Sequence, residues 1–417
     1  APDRPVCENH GSIVFALPFR PLVVLQPVDR NSHYQARRRR QRRRRRVRRT
    51  GAMLVLAALV VGGALVFRDG SDATLEKASA SEAAIEPKQR AFNPLAARPA
   101  PLEMRGVHVT MALASLPGKL EEYFSLAGLN TVELDVKDEN GEVGWVPSSV
   151  PLARKIGAGK PYYKPRQAAL LARRYGVYLI ARIVVFEDPV LAAARPARAV
   201  QRPDGSIWKN DAGLGWSDPY NRANWKYVVD IAVAAAKLGF DEIQFDYVRF
   251  PTDGDIDDIV YPSKNDTPMG WTIAQFVHYA AKRLKPLGVR VSADVFGLSA
   301  TRDLGIGQIP RRIARYVDAI YPMVYPSHYN SGEYGLDDPP AAPGATVAAS
   351  LADFSRQLEG TKAKLIPWLQ DFTYGRTYSL ADVQAQIDAA QAAGTSGFLL
   401  WNAGGIYTAE ALVYRQR

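Results

Sequence analysis

From residue 105 onward, short apolar runs alternate with longer amphipathic stretches. The spacing predicts eight strands, at 106–110, 131–138, 177–186, 241–250, 290–297, 318–326, 364–372 and 397–404. Helical periodicity fills the gaps at 119–127, 165–175, 222–238, 273–284, 310–316, 347–358 and 380–393, and 409–414 closes the chain. Gly128, Gly176, Gly239, Gly288 and Gly394 each stand between a helical stretch and the next strand, as left-handed C-caps require. This alternation predicts an α/β fold, a (β/α)8 TIM barrel over 104–417. A doubly wound open sheet is the alternative, but no GxGxxG or Walker pattern follows the first strand.

Parity within the strands predicts what fills the cylinder. In the fourth strand, Ile243, Phe245 and Tyr247 oppose Gln244, Asp246 and Val248, which sends Gln244 and Asp246 inward. The same rule sends Glu133, Asp135 and Lys137 inward in the second strand, Ser292 and Asp294 in the fifth, and Arg182 in the third. His108 and Thr110 share a face of the first strand. Tyr321, Met323 and Tyr325 come from the sixth strand, Trp368 and Gln370 followed by Asp371 from the seventh, and Trp401-Asn402 from the eighth. A structural barrel fills its interior with Val, Ile and Leu, so this many polar groups predict a site at the carboxyl ends of the strands. Arg249 marks the end of the fourth. The loops at 139–164, 187–220, 252–271 and 327–346 are long and hold Trp145, Tyr162, Tyr163, Trp208, Trp216, Tyr329 and Tyr334. Such rings either stack on sugars or pin the loops.

Charge and cysteine usage concern the N-terminal quarter. The net charge is +11, and the run 37–49 alone carries eleven arginines, so the rest of the chain is neutral and no nucleic-acid partner is expected. Residues 52–67 follow directly and carry no charge. Their helical length of roughly 24 Å fits a transmembrane or signal-anchor helix. The positive-inside rule then makes 1–51 a cytoplasmic segment, 68–103 a flexible linker, and the barrel a domain outside the cytoplasm, membrane-tethered or secreted after cleavage. The single cysteine, Cys7, precedes the apolar stretch, so the exported part forms no internal disulfide.

The histidines number five and form no HxH or HExxH pair, and there is no CxxC or GxSxG. These absences argue against a zinc hydrolase or an α/β-hydrolase, and no metal or cofactor signature appears. Carboxylates on neighbouring strands remain, and a carboxylate pair is the equipment of glycoside hydrolysis. Asp246 and Asp294 form that pair, with Arg249 or Arg182 as counter-ion and Tyr325 or Trp401 as apolar cover. His108, Asp135, Lys137, Arg182, Gln244, Arg249, Tyr321, Tyr325, Trp368, Gln370, Asp371, Trp401 and Asn402 are the expected substrate-binding set. A non-catalytic carbohydrate-binding barrel is the alternative function.

The strings GVHVT (106–110), NTVELDVKDENGEV (130–143), GFDEIQFDYVRFP (239–251), ADVFG (293–297), YPMVYPSHY (321–329) and LWNAGG (400–405) resemble the bacterial putative glycosyl hydrolase domain family, whose barrel is distantly alpha-amylase-like. The resemblance spans about 104–415. It implies action on a polysaccharide or glycoconjugate, with the fourth-strand Asp246 as nucleophile. The acid in such barrels is usually a fifth-strand glutamate; this chain has Asp294 there, with Asp371, Glu187 and Asp138 in reserve.

Overall fold

The computed structural model describes residues 95–413. The expected segments 1–51 and 52–67, and most of 68–103, lie outside the described residues. Among the described residues no helix is long and apolar enough to cross a membrane.

Nine strand segments build eight staves: β1 (Met104–Val109), β2 (Thr131–Lys137), β3 (Tyr178–Val184), β4 (Glu242–Asp246), β5 (Arg290–Phe296), β6 (Ala319–Met323), β7 (Lys364–Leu365), β8 (Trp368–Gln370) and β9 (Gly397–Trp401). All neighbours pair in parallel, and β9 returns to β1 to close the cylinder. The predicted seventh strand is broken at Pro367, whose missing N–H interrupts the ladder, so β7 and β8 share one stave. The five predicted C-cap glycines all take positive φ. Two helices start earlier than their periodicity suggests, at Met269 and at Pro343, the latter with proline in the first turn.

Two apolar layers follow from strand parity. Outward residues such as Val132, Leu134, Ile243, Phe245, Val291 and Val295 pack with helix residues including Trp225 and Phe276. Inside the cylinder lie Met104, Tyr178, Ile180, Tyr321, Ile366, Trp368 and Leu399. The floor is closed by a buried polar knot: Tyr178 and Tyr321 each donate to the Glu242 carboxylate at 3.0 Å, and Arg290 Nε stands 3.6 Å away. Burying Glu242 is costly unless partnered, and these three groups partner it. Tyr321 is therefore inward, as parity requires, but it sits at floor depth, and its place in the substrate-binding set is corrected.

The linker expectation also needs revision at its end. Residues 95–103 are laid against the barrel. Leu95 is buried in the outer core, and the Arg98 backbone and Nε donate to Asp241 Oδ1 at 2.9 and 3.2 Å. The Arg98 guanidinium also bridges Asp241 Oδ2 at 2.6 Å and the Val177 carbonyl. Asp241 is fully buried, so Arg98 compensates a charge that solvent does not reach. A chain beginning at residue 104 is expected to be about 2–4 kcal/mol less stable than one beginning at 95, from lost Leu95 burial and the lost Arg98 bonds to Asp241, which keeps only the Leu179 N–H at 3.0 Å and Arg173 at 3.7 Å. Equal denaturation midpoints for the two truncations would show that the strap contributes nothing.

Candidate active site

The carboxyl ends of β1 to β5, β8 and β9 converge on one buried polar cluster. Arg182 from β3 is its centre. Its Nε and Nη2 donate to Asp246 Oδ2 at 3.0 and 2.8 Å, and Nη1 donates to Asp135 Oδ1 at 2.7 Å. Glu139, at the start of the loop after β2, lies 3.6 Å from Nη1. Burial disfavours the guanidinium charge, but Asp135 and Asp246 reverse this and hold its pKa well above the ordinary value. Asp246 Oδ1 accepts the backbone N–H of Tyr247 at 2.6 Å. Tyr247 takes φ 49°, a left-handed conformation rare for a bulky side chain and common where a site fixes its backbone.

Asp294 from β5 has a different environment. Its Oδ1 accepts from Gln244 Nε2 at 2.5 Å and from Trp368 Nε1 at 2.8 Å, both neutral donors. Burial, and then the neighbouring Asp246 and Glu133 carboxyl groups, push its pKa well above the carboxylate range. Among the described residues no donor reaches Oδ2, the oxygen left to carry a proton. Tyr325, nearly buried, faces the same carboxylates, and burial raises its phenol pKa.

His108 and Glu133 form a third element. His108 Nδ1 lies 2.5 Å from Glu133 Oε2, and Nε2 lies 3.6 Å from Asp135 Oδ2. Burial lowers His108 to about 4 and raises Glu133 well above the usual range, so each favours its neutral form. Trp401 stacks on the imidazole at 4.3 Å, meets Trp368 edge-on at 5.6 Å, and lies 5.4 Å from the Arg182 guanidinium. Tyr407 donates to the His108 carbonyl at 2.6 Å. Because an unfolded histidine titrates near 6.5, the unfolded His108 side chain binds a proton that the native one does not between about pH 4 and 6.5. The contribution of His108 is therefore full above that window and is lost as pH drops through it, against the opposite contributions of the raised Glu133, Asp138 and Asp294. A His108→Gln variant with an identical acid branch of the stability curve would contradict this assignment.

The structure thus brings together nine of the expected residues: His108, Asp135, Arg182, Gln244, Asp246, Asp294, Tyr325, Trp368 and Trp401. The others are engaged elsewhere. A register irregularity between Asp135 and Lys137 breaks the alternation of β2. Lys137 is fully buried instead, donating to the Val184 carbonyl at 2.9 Å and pairing with Asp188 at 3.1 Å. Arg249 is buried among Trp216, Tyr247 and Phe296 and donates to Phe250 O and Thr252 Oγ1. The counter-ion of Asp246 is Arg182. Gln370 is fully buried and accepts the Ser327 N–H at 3.0 Å. Asp371 clasps Thr408 through its N–H and hydroxyl, both at 2.7 Å. Asn402 shapes a turn by accepting the Gly404 N–H at 2.9 Å.

The reserve acids are likewise engaged. Asp138 Oδ1 caps the turn through the N–H groups of Asn140 and Glu142, and burial lifts its pKa to about 6. Glu187 accepts from Asn210 at 3.1 Å. Most of the loop aromatics are pins: Trp208 and Trp216 are fully buried, Tyr163 donates to the Asp135 carbonyl, and Tyr329 donates to Ser350. Absent from the expected set are Glu133 and Glu139. The inward parity of Glu133 was visible in the sequence; Glu139 lies past the strand, where parity gives no signal.

Comparison with known proteins follows this geometry. The family model described as "Putative glycosyl hydrolase domain" matches residues 106–407. No curated protein matches. Among solved structures, a hypothetical protein from Ruminiclostridium thermocellum is 35% identical, with 45% of this chain and 97% of that one covered, at a TM-score of 0.41. The glycoside hydrolase domain of PgaB (BpsB) from Bordetella bronchiseptica shares 15% identity over 74% of this chain and 98% of its own, at a TM-score of 0.55, a likeness of fold. With a closed parallel barrel, carboxylates gathered at its mouth and a family match across nearly all of the described barrel, the chain belongs to the glycosyl hydrolase domain family that its sequence motifs resemble.

Proposed function

We propose that the barrel hydrolyses a glycosidic bond with Asp246 as nucleophile and Asp294 as general acid. One observation carries this reading: two inward carboxyl groups on adjacent strands have opposite surroundings, one bound by a guanidinium and the other by neutral donors in a buried pocket. A carboxyl group that burial keeps protonated can serve as the acid beside one held by a cation. Asp294 gives its Oδ2 proton to the leaving oxygen as the C–O bond breaks. Asp246 attacks the anomeric carbon, and water, deprotonated by the Asp294 carboxylate, later releases the sugar. Trp401, half-buried above Trp368, offers a flat apolar face for the reacting ring.

The substrate is proposed to be an extracellular or cell-envelope polysaccharide. The arginine run and the apolar stretch 52–67 support a barrel outside the cytoplasm, held by a single span or released by cleavage. A reporter fused after residue 413 that scores as cytoplasmic would end that part of the reading. For the activity itself, incubation with a panel of envelope and exopolysaccharide glycans is expected to release reducing ends. Binding without product over long incubation would favour a sugar-binding barrel instead.

A further inference from the structure

We propose that the loops following β6 and β8 form a second carbohydrate subsite, an aromatic wall of Tyr325, Phe372, His328 and Tyr374 that holds the next sugar units of a neutral oligosaccharide. The proposal rests on the glycosidase reading above and extends it outward from the reacting ring.

The rings make a continuous path. Tyr325 faces the catalytic carboxyl groups, and its ring lies 5.4 Å from both His328 and Phe372. His328 is 6.1 Å from Phe372 and stacks on Tyr374 at 6.0 Å with an interplanar angle of 22°. Tyr325 is nearly buried, Phe372 and Tyr374 are half-buried, and His328 is exposed. Each pyranose presents apolar C–H faces and a polar equator, so a row of rings open to water on one side suits successive sugars better than a charged ligand. The nearby cation, Arg376, is paired with Asp382 at 3.2 Å.

The two loops are also fastened by polar bonds. The Ser327 N–H is bound by Gln370, Tyr329 is bound by Ser350, and the Phe372 carbonyl accepts from Gln370 Nε2 at 3.0 Å. Ordinary loop pins in this protein are buried, as Trp208 and Trp216 are. Rings left at the solvent edge beside an active site fit a binding duty.

The test uses the Asp246→Asn chain, which binds without turnover, and calorimetry with the disaccharide and hexasaccharide of the cello-, manno- and chito- series. The hexasaccharide of at least one series is expected to bind more tightly than its disaccharide. Adding Tyr374→Ala or His328→Ala is expected to reduce that ratio about threefold to tenfold, with the melting temperature unchanged. Equal loss for both lengths, a lowered melting temperature without a length effect, or no length-dependent binding in any series would overturn the subsite. If the catalytic reading alone is wrong, wild-type protein leaves the sugars intact while the length effect persists.

Discussion

Asp246→Asn is expected to reduce turnover on the order of 10⁴-fold while leaving the barrel folded. The substitution keeps the shape and an acceptor for the Tyr247 N–H, so the left-handed turn at Tyr247 is preserved. Arg182 loses a charged partner, but Asp135 remains at 2.7 Å and Glu139 at 3.6 Å, so no uncompensated cation is buried. The lost step is attack on the anomeric carbon, which an amide does not perform. Circular dichroism and thermal melting establish the fold, and reducing-end release with the best glycan of the panel gives the rate. Undiminished hydrolysis by a folded Asp246→Asn protein would remove Asp246 from the chemistry.

Replacing the acid gives a different signature. Asp294→Asn retains the acceptor for Gln244 and Trp368 and is expected to fold normally. Hydrolysis of natural linkages should fall about 10²–10⁴-fold, because their leaving oxygen needs a proton. Aryl glycosides with acidic leaving groups should fall far less. The pH profile gives the sign. Asp294 acts only when protonated, and burial together with Asp246 raises its pKa. Wild-type activity is therefore lost as pH rises through that elevated value, and the alkaline limb should be absent from Asp294→Asn. An unchanged alkaline limb, or equal losses on natural and aryl substrates, would assign the acid to another group. Glu133 is the other carboxyl group in the cluster that burial raises well above the usual range.

Parity exposed much of this site because buried parallel strands separate their two faces cleanly. β2, β4 and β5 place Glu133, Asp135, Gln244, Asp246 and Asp294 inward as alternation requires. Alternation assigns a face but no height, so Tyr321 and Trp368 looked equivalent although one seals the floor and the other touches Asp294. It also lapses at a bulge, as Lys137 shows, and beyond a strand's end, as Asp371 and Asn402 show. Between two arginines near one carboxylate, sequence had no means to choose. Register decides it, since Val184 of β3 pairs with Asp246 and leaves Arg182 within reach. The strap at 95–103 escaped notice because its anchors, Leu95 and Arg98, are isolated contacts without periodicity.

The knot of Glu242, Tyr178 and Tyr321 has a bearing on traffic. A vessel stoppered at one pole has a single doorway, so whatever reaches the carboxyl groups of Asp246 and Asp294 enters and leaves past the loops at the opposite rim.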